Sequence, residues 1–169
     1  MRTDRLRRTA ALLVALAAVA ALGADCAGEG GTDPPPAPPA NLAFLDVEAS
    51  RAVLDQITPA VQRFYSYDFQ RLDEHEQEIM AVTTARFWSD IAPTLEIVRE
   101  VAPRKQIVVT ATVVAASLRG LEPSRAELLL FVNRSTTQAG APPQPDATSI
   151  VVTAAQIGPV WRIDGLELV

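Results

Sequence analysis

Leu54, Ile57, Val61 and Phe64 recur at spacings of three and four, which sets them on one face of a helix that Leu42, Phe44, Leu45 and Val47 lead into. Pro59 interrupts the stripe. A proline there removes a backbone hydrogen bond and crowds the carbonyl four residues back, so a kink or break is expected, with Thr58 capping a new segment. The stripe ends at Phe64-Tyr65-Ser66-Tyr67-Asp68-Phe69, where the Ser66 hydroxyl and the Asp68 carboxylate stand among four aromatic rings. Side-chain oxygens of this kind accept from nearby backbone N–H groups, so Ser66-Tyr67-Asp68 reads as a corner that caps the next helix. Leu72 to Val82 is that helix. Thr84 opens another, with Phe87, Ile91, Leu95, Val98 and Val101 at spacings of four, four, three and three. Pro93 threatens a kink in it, and Pro103 is expected to end it.

Past Pro103 the period changes to two. Ile107, Val109, Ala111 and Val113 alternate with Val108, Thr110, Thr112 and Val114, and β-branched residues dominate, so residues 107–114 read as a strand. Strands over 126–132, 148–157 and 160–168 follow without an intervening helix. Residues 133–147, with Gly140, Pro142, Pro143 and Pro145, read as a long mobile loop, and Gly158-Pro159 as a tight turn. Helices followed by consecutive antiparallel strands predict an α+β fold, its N-terminal helices packed on one face of a curved sheet of about four strands. In the last strand Trp161 shares a face with Ile163 and is expected to bury against the helices. Leu128 and Leu130 occupy one face of the second strand, Leu129 and Phe131 the other. Both faces are apolar there, so helices cover one and a ligand or a partner protein the other.

The N-terminal 40 residues follow a different logic. Arg2, Arg5, Arg7 and Arg8 precede a run of 16 apolar or small residues, Thr9 to Ala24, which is an export signal. At about 1.5 Å per residue the run spans roughly 24 Å, short of the roughly 30 Å hydrocarbon core. Three fates stay open for residues 1–26: retention as a membrane anchor, cleavage after a small residue such as Gly23, or lipidation of Cys26, although Asp25 fills the place where a lipoprotein signal carries a small residue. Each puts the rest of the chain outside the cytoplasm, secreted if the signal is cut. Residues 27–40 hold five prolines and no large side chain, the composition of a linker that lifts residues 41–169 off the membrane.

Composition narrows the chemistry. Cys26 is the one cysteine, which excludes an intrachain disulfide and a cysteine-based zinc site. Of 15 basic residues four precede residue 9, and of 20 acidic residues two precede Cys26, so the exported part carries 11 against 18 and a net charge of −7. Such a surface repels phosphate backbones, and nucleic acid is not an expected partner. His75 is the one histidine, and on a helix Glu74, His75 and Glu78 approach one another. With no second histidine to complete a ligand set, the stretch reads as a solvated acidic face, and no metal or cofactor is expected.

Ser66-Tyr67-Asp68 followed by Leu72-Asp73, then Val82-Thr83-Thr84-Ala85-Arg86-Phe87, then Pro159-Val160-Trp161-Arg162-Ile163-Asp164-Gly165 resembles the actinobacterial Mce-associated membrane proteins. The likeness runs from about Asn41 to the C-terminus. It implies a nuclear-transport-factor-2-like or ketosteroid-isomerase-like cone, with Ser66, Tyr67, Asp68, Trp161, Asp164 and Gly165 as its structural marks. It also implies a non-catalytic accessory role beside Mce-type transporter subunits that import lipids or sterols through the cell envelope, with Leu129 and Phe131 as candidates for the docking face. The alternative is a binder of a hydrophobic small molecule, or an enzyme, that uses the cone pocket, for which Asp46, Tyr67 and Asp68 would supply the polar groups. No Ser, His or Cys triad can be assembled, so the chain is read as no enzyme.

Overall fold

The computed structural model describes residues 41–44 and 46–169. The signal or anchor of residues 1–26, Cys26 and the linker of residues 27–40 lie outside the described residues. A single turn of 3-10 helix, Leu42–Phe44, precedes α1 (Val47–Tyr65), β1 (Tyr67–Asp68), α2 (Leu72–Val82), α3 (Ala85–Lys105), β2 (Val108–Leu121), β3 (Arg125–Thr137), β4 (Gln144–Ile157) and β5 (Val160–Leu168). Among the described residues the strands form one antiparallel sheet in the order β1-β2-β3-β4-β5. The expected α+β architecture is the observed one. The strand beyond the expected four is β1, two residues of the aromatic corner.

Helix α1 starts where the Asp46 carboxylate accepts from the Ala49 N–H at 2.8 Å, and it does not break at Pro59. Energetics explain the correction. A proline inside a helix costs about 3 kcal/mol, whereas burying Val53, Ile57 and Val61 stabilises by about 1.5–3 kcal/mol each, and all three are fully buried. Thr58 therefore opens nothing. Helix α3 likewise runs through Pro93, and through Pro103 to Lys105, beyond its expected end. Ala102, just before Pro103, is buried, and its carbonyl accepts from Ile107 N at 3.0 Å. The turn is closed by Gln106 in the left-handed region, φ 50°.

The strands are longer than their alternation suggests, because bulges hide the continuation. Register shifts between Val113 and Ala115 and between Leu118 and Gly120 each add a residue to β2 and bend it. The loop expected over 133–147 shrinks to residues 138–143. Asn133 to Thr136 pair with Ala147 to Gln144 and extend the β3–β4 hairpin. Pro145 is tolerated because β5 reaches only as far as Ile150 of β4, which leaves this end of β4 on the sheet edge, where no ladder hydrogen bond is lost. The inward row of Leu128, Leu130, Val132, Ile150, Val152 and Ile163 packs on Val53, Ile57 and Val61 of α1 and Phe87 of α3. Trp161 buries in this core as expected, and its backbone N–H donates to Gln56 Oε1 at 2.9 Å.

Candidate functional site

Ser66 closes α1 rather than opening α2. Its N–H bonds Gln62 O at 3.0 Å, while its hydroxyl accepts from Ala111 N of β2 at 2.9 Å. Gln62, one helical turn earlier, accepts from Val113 N at 3.0 Å. Farther along β2, Asn41 Oδ1 accepts from Leu121 N at 2.9 Å and Asn41 Nδ2 donates to Arg119 O at 3.3 Å. Side chains of the N-terminal segment thus satisfy backbone groups that an outer strand would otherwise take. At the far edge Thr83 bridges Ile163 of β5, and Thr84 N donates to Ile163 O at 2.9 Å. With Pro145 on the exposed end of β4, these edges resist strand addition.

Tyr67 and Asp68 lengthen this closure by pairing with Val109 and Val108. Asp68 Oδ1 accepts from Gln70 N at 2.9 Å, so it shapes the turn, and Arg71 at the N-cap of α2 gives that helix no side-chain cap. The expected capping of α2 by Ser66 or Asp68 is not formed, since β1 intervenes. Tyr67 lies with its ring centroid 5.6 Å from that of His75, and Arg134 stands 5.6 Å over the Tyr65 ring. Burial raises the pKa of both phenols, and the Arg134 charge opposes it. Asp46 does not join them. It caps the start of α1, whose 19 residues separate it from Tyr67 by about 28 Å at about 1.5 Å per residue. The polar trio of the enzyme reading is not brought together, and the inward sheet face it would use is filled by Leu128, Leu130, Ile150 and Val152, all fully buried. A cleft of about 420 Å³ does open at the corner, between Gln62, Arg63, Tyr67, Asp68 and Arg71, outside the core.

His75 departs from the solvated face expected of it. Glu74 and Glu78 are exposed, but the imidazole turns inward and is 7% exposed. Burial lowers its pKa, and Glu78 opposes the shift. Among the described residues no three His, Cys, Asp or Glu side chains converge as a metal site would require.

The marks on β5 form a structural knot. Between Thr153 and Ala154 the register shifts, so Asp164 is the extra residue of a bulge in β5. The bulge aims its carboxylate at the start of α3, where Thr84 Oγ1 donates to Oδ1 at 2.7 Å and Arg86 reaches Oδ2 at 2.7 Å. Burial alone would raise the Asp164 pKa, but the Arg86 and Thr84 hydrogen bonds and the Arg86 charge hold it below the usual carboxylate range. Gly165 beside it is not sterically required, since a Cβ would meet Thr153 Cβ at an ordinary 3.8 Å.

Which sheet face is outward was open from sequence, and the structure settles it. Leu128 and Leu130 face the helices, whereas Phe131 is 44% exposed and Leu129 half-buried on the opposite side. Cross-strand pairing aligns Ser117, Leu129, Val151 and Glu167 in one row and Ala115, Phe131 and Ser149 in the next. Exposed Val114 and Val169 border them. Two clefts of about 450 and about 460 Å³ share Asn133 and Ala147 and form a groove across this face. Val114 keeps the face that its alternation with Thr110 and Thr112 gives it, and the bulge brings Ala115 to the same side; nothing local marks Asn41 and Gln62 as amides that reach a distant strand.

No protein-family model matches the chain. Two curated relatives from Mycobacterium tuberculosis, in strains CDC 1551 / Oshkosh and H37Rv, are both designated uncharacterized and are 32% identical over 120 residues, 70% of this chain and 54% of theirs. The chain therefore spans about half the length of the curated relatives it matches. Among solved structures, an IcmL-like type IV secretion system protein of Legionella pneumophila aligns with TM-score 0.62 and 17% identity over 73% of this chain and 93% of that one. The periplasmic domain of DotI aligns with TM-score 0.61 and 15% identity over 73% and 97%. CagV, a VirB8 homologue of Helicobacter pylori, gives 0.57 and 11% over 70% and 96%. None of these names an Mce-associated protein. The helices against a curled antiparallel sheet are the nuclear-transport-factor-2-like cone that these secretion-system domains share.

Proposed function

We propose that this protein is a non-catalytic scaffold of a multi-protein transport assembly in the cell envelope, which it engages through the outer face of its sheet. The observation that carries the reading is the contrast between closed edges and an apolar face. Asn41, Gln62, Ser66, Thr83 and Thr84 occupy edge groups of the sheet, the inner face is packed solid, and the outer face presents Val114, Phe131 and Val169 along a groove, with Leu129 and Val151 in the next row. A partner that buries apolar surface has that face to use.

The periplasmic placement of the related folds supports a domain outside the cytoplasm, as does the export signal. Their membership of secretion systems supports protein partners. The finer assignment is to an Mce-type lipid or sterol import complex, and it rests on the Ser66-Tyr67-Asp68 and Trp161-Arg162-Ile163-Asp164-Gly165 resemblance. Affinity capture of the full-length protein from detergent-solubilised native membranes, with mass spectrometry of what is retained, tests both levels. Lipid-transporter subunits in the eluate support the finer assignment, and secretion-type components replace it with the coarser one. A Leu129→Asp/Phe131→Asp variant that folds normally is expected to lose its partners. Full retention by that variant overturns the assignment of the face.

A further inference from the structure

Helix α3 is fixed at its ends and only lightly supported between them. Its start is held by Thr84 and Arg86 on Asp164 and by buried Phe87. Its end is held by buried Ala102 and by Ala139 N donating to Lys105 O at 3.1 Å. From Trp88 to Val101 no α3 side chain is buried, and Ile97 is 63% exposed. Ile91 packs partly buried against the core, and beyond it residues 92–101 rest on α2, with His75 in the seam. A void of about 10 Å³ beside the imidazole is bounded by Leu72, Leu95, Val98 and Arg99. Tyr67 of β1 stands 5.6 Å from the ring on another side. Nδ1 is buried and has no hydrogen-bond partner among the described residues.

The charged and titratable groups around this seam are few. Arg99 comes from α3, with Asp73 and Glu76 of α2 already engaged on its guanidinium. Glu78 acts from the helix that carries His75, and Tyr67 from β1, with Arg134 of β3 acting on Tyr67 in turn. A neutral imidazole suits this place. An imidazolium would be desolvated beside the Arg99 cation, and the carboxylate that favours it, Glu78, is exposed to solvent.

We infer that His75 is the trigger of an acid-released latch: on protonation the second half of α3, residues 92–101, lifts from α2 and bares Leu72, Leu95 and Val98 while both ends of α3 stay anchored. The sign follows from linkage. Burial depresses the pKa of His75 in the closed form, so closure is fully favoured above the ordinary value of about 6.5 and is lost as pH falls through the lower closed-state value. The consequence is an apolar surface that appears only in an acidified envelope.

His75 is the one histidine of the chain, so its imidazole resonances report without overlap. Full-length protein in detergent micelles would be titrated by NMR, and amide hydrogen exchange, corrected for intrinsic rates, followed at about pH 7.5 and about pH 5, which bracket the imidazole range. Protection over residues 92–101 is expected to fall about tenfold or more at the lower pH, with β3 and β4 unchanged. His75→Leu should keep its protection at both pH values. Glu78→Gln, at an exposed position, removes the carboxylate that favours the imidazolium in the closed form and should make the loss of protection at the lower pH larger. An imidazole that titrates at or above its ordinary value, wild-type protection equal at both pH values, or the same acid loss in His75→Leu would each overturn the latch.

Discussion

Replacing Asp164 tests how β5 is joined to α3. The carboxylate is 20% exposed and meets two donors of unequal burial, the Thr84 hydroxyl on a residue 7% exposed and the Arg86 guanidinium on a side chain 63% exposed. An exposed ion pair contributes about 0–1 kcal/mol, whereas a buried hydroxyl left without its charged acceptor costs about 1–3 kcal/mol. Asp164→Ala removes both partners and should cost about 2–3 kcal/mol, most of it on the Thr84 side. Asp164→Asn keeps an oxygen for Thr84 and should cost about 1 kcal/mol or less. For a chain of 169 residues these correspond to falls in Tm of about 6–9 °C and about 3 °C, at roughly 3 °C per kcal/mol. Thermal unfolding of both variants, with Thr84→Ala and Arg86→Gln to close double-mutant cycles, separates the two arms. An Asn variant as unstable as the Ala variant, or an Arg86 coupling larger than the Thr84 coupling, would refute the argument from burial. Because the folded Asp164 pKa is depressed, its contribution is present above about pH 3.9 and fades as pH falls through the folded value. The Asp164→Ala deficit should therefore shrink in acid.

Gln62→Ala should cost about 1–2 kcal/mol by leaving Val113 N unpaired, and should also raise concentration-dependent self-association through β2, measured by light scattering. Ser66→Ala, at Ala111 N, should behave in the same way. Leu130→Ala, at a fully buried position, should cost about 2–5 kcal/mol in urea unfolding, whereas Phe131→Asp next to it should change stability by less than about 1 kcal/mol. Gly158 has φ +61°, so Gly158→Ala should cost about 1 kcal/mol, while Gly165→Ala should lie within about 0.5 kcal/mol of the parent.

Most of the elements were legible in the chain because their periods are properties of contiguous residues. Leu54, Ile57, Val61 and Phe64 announce a helical face, to which the structure adds buried Val53, and Leu128, Leu130 and Ile163 announce strands. Pro59 and Pro103 do not end their helices, since a local penalty of about 3 kcal/mol is outweighed where the face on either side is buried. Pro145 and its neighbours misled for a related reason: whether a proline breaks a strand depends on whether that position is on an edge, which no local pattern states.

The sequence by itself determined the class of fold, the burial of Trp161 and the apolar character of both faces of β3, because each depends on composition repeating at the period of one element. Only the tertiary structure decided that Phe131 faces outward, that Asn41, Gln62 and Ser66 close the edge of β2, that a bulge aims Asp164 at Thr84 and Arg86, and that His75 turns into the α2–α3 seam. Each of these joins residues remote in the chain, or turns on a face chosen by what packs against it. An alternating strand has the same pattern whichever side its helices cover, and the free energy that selects one side appears only when those helices arrive.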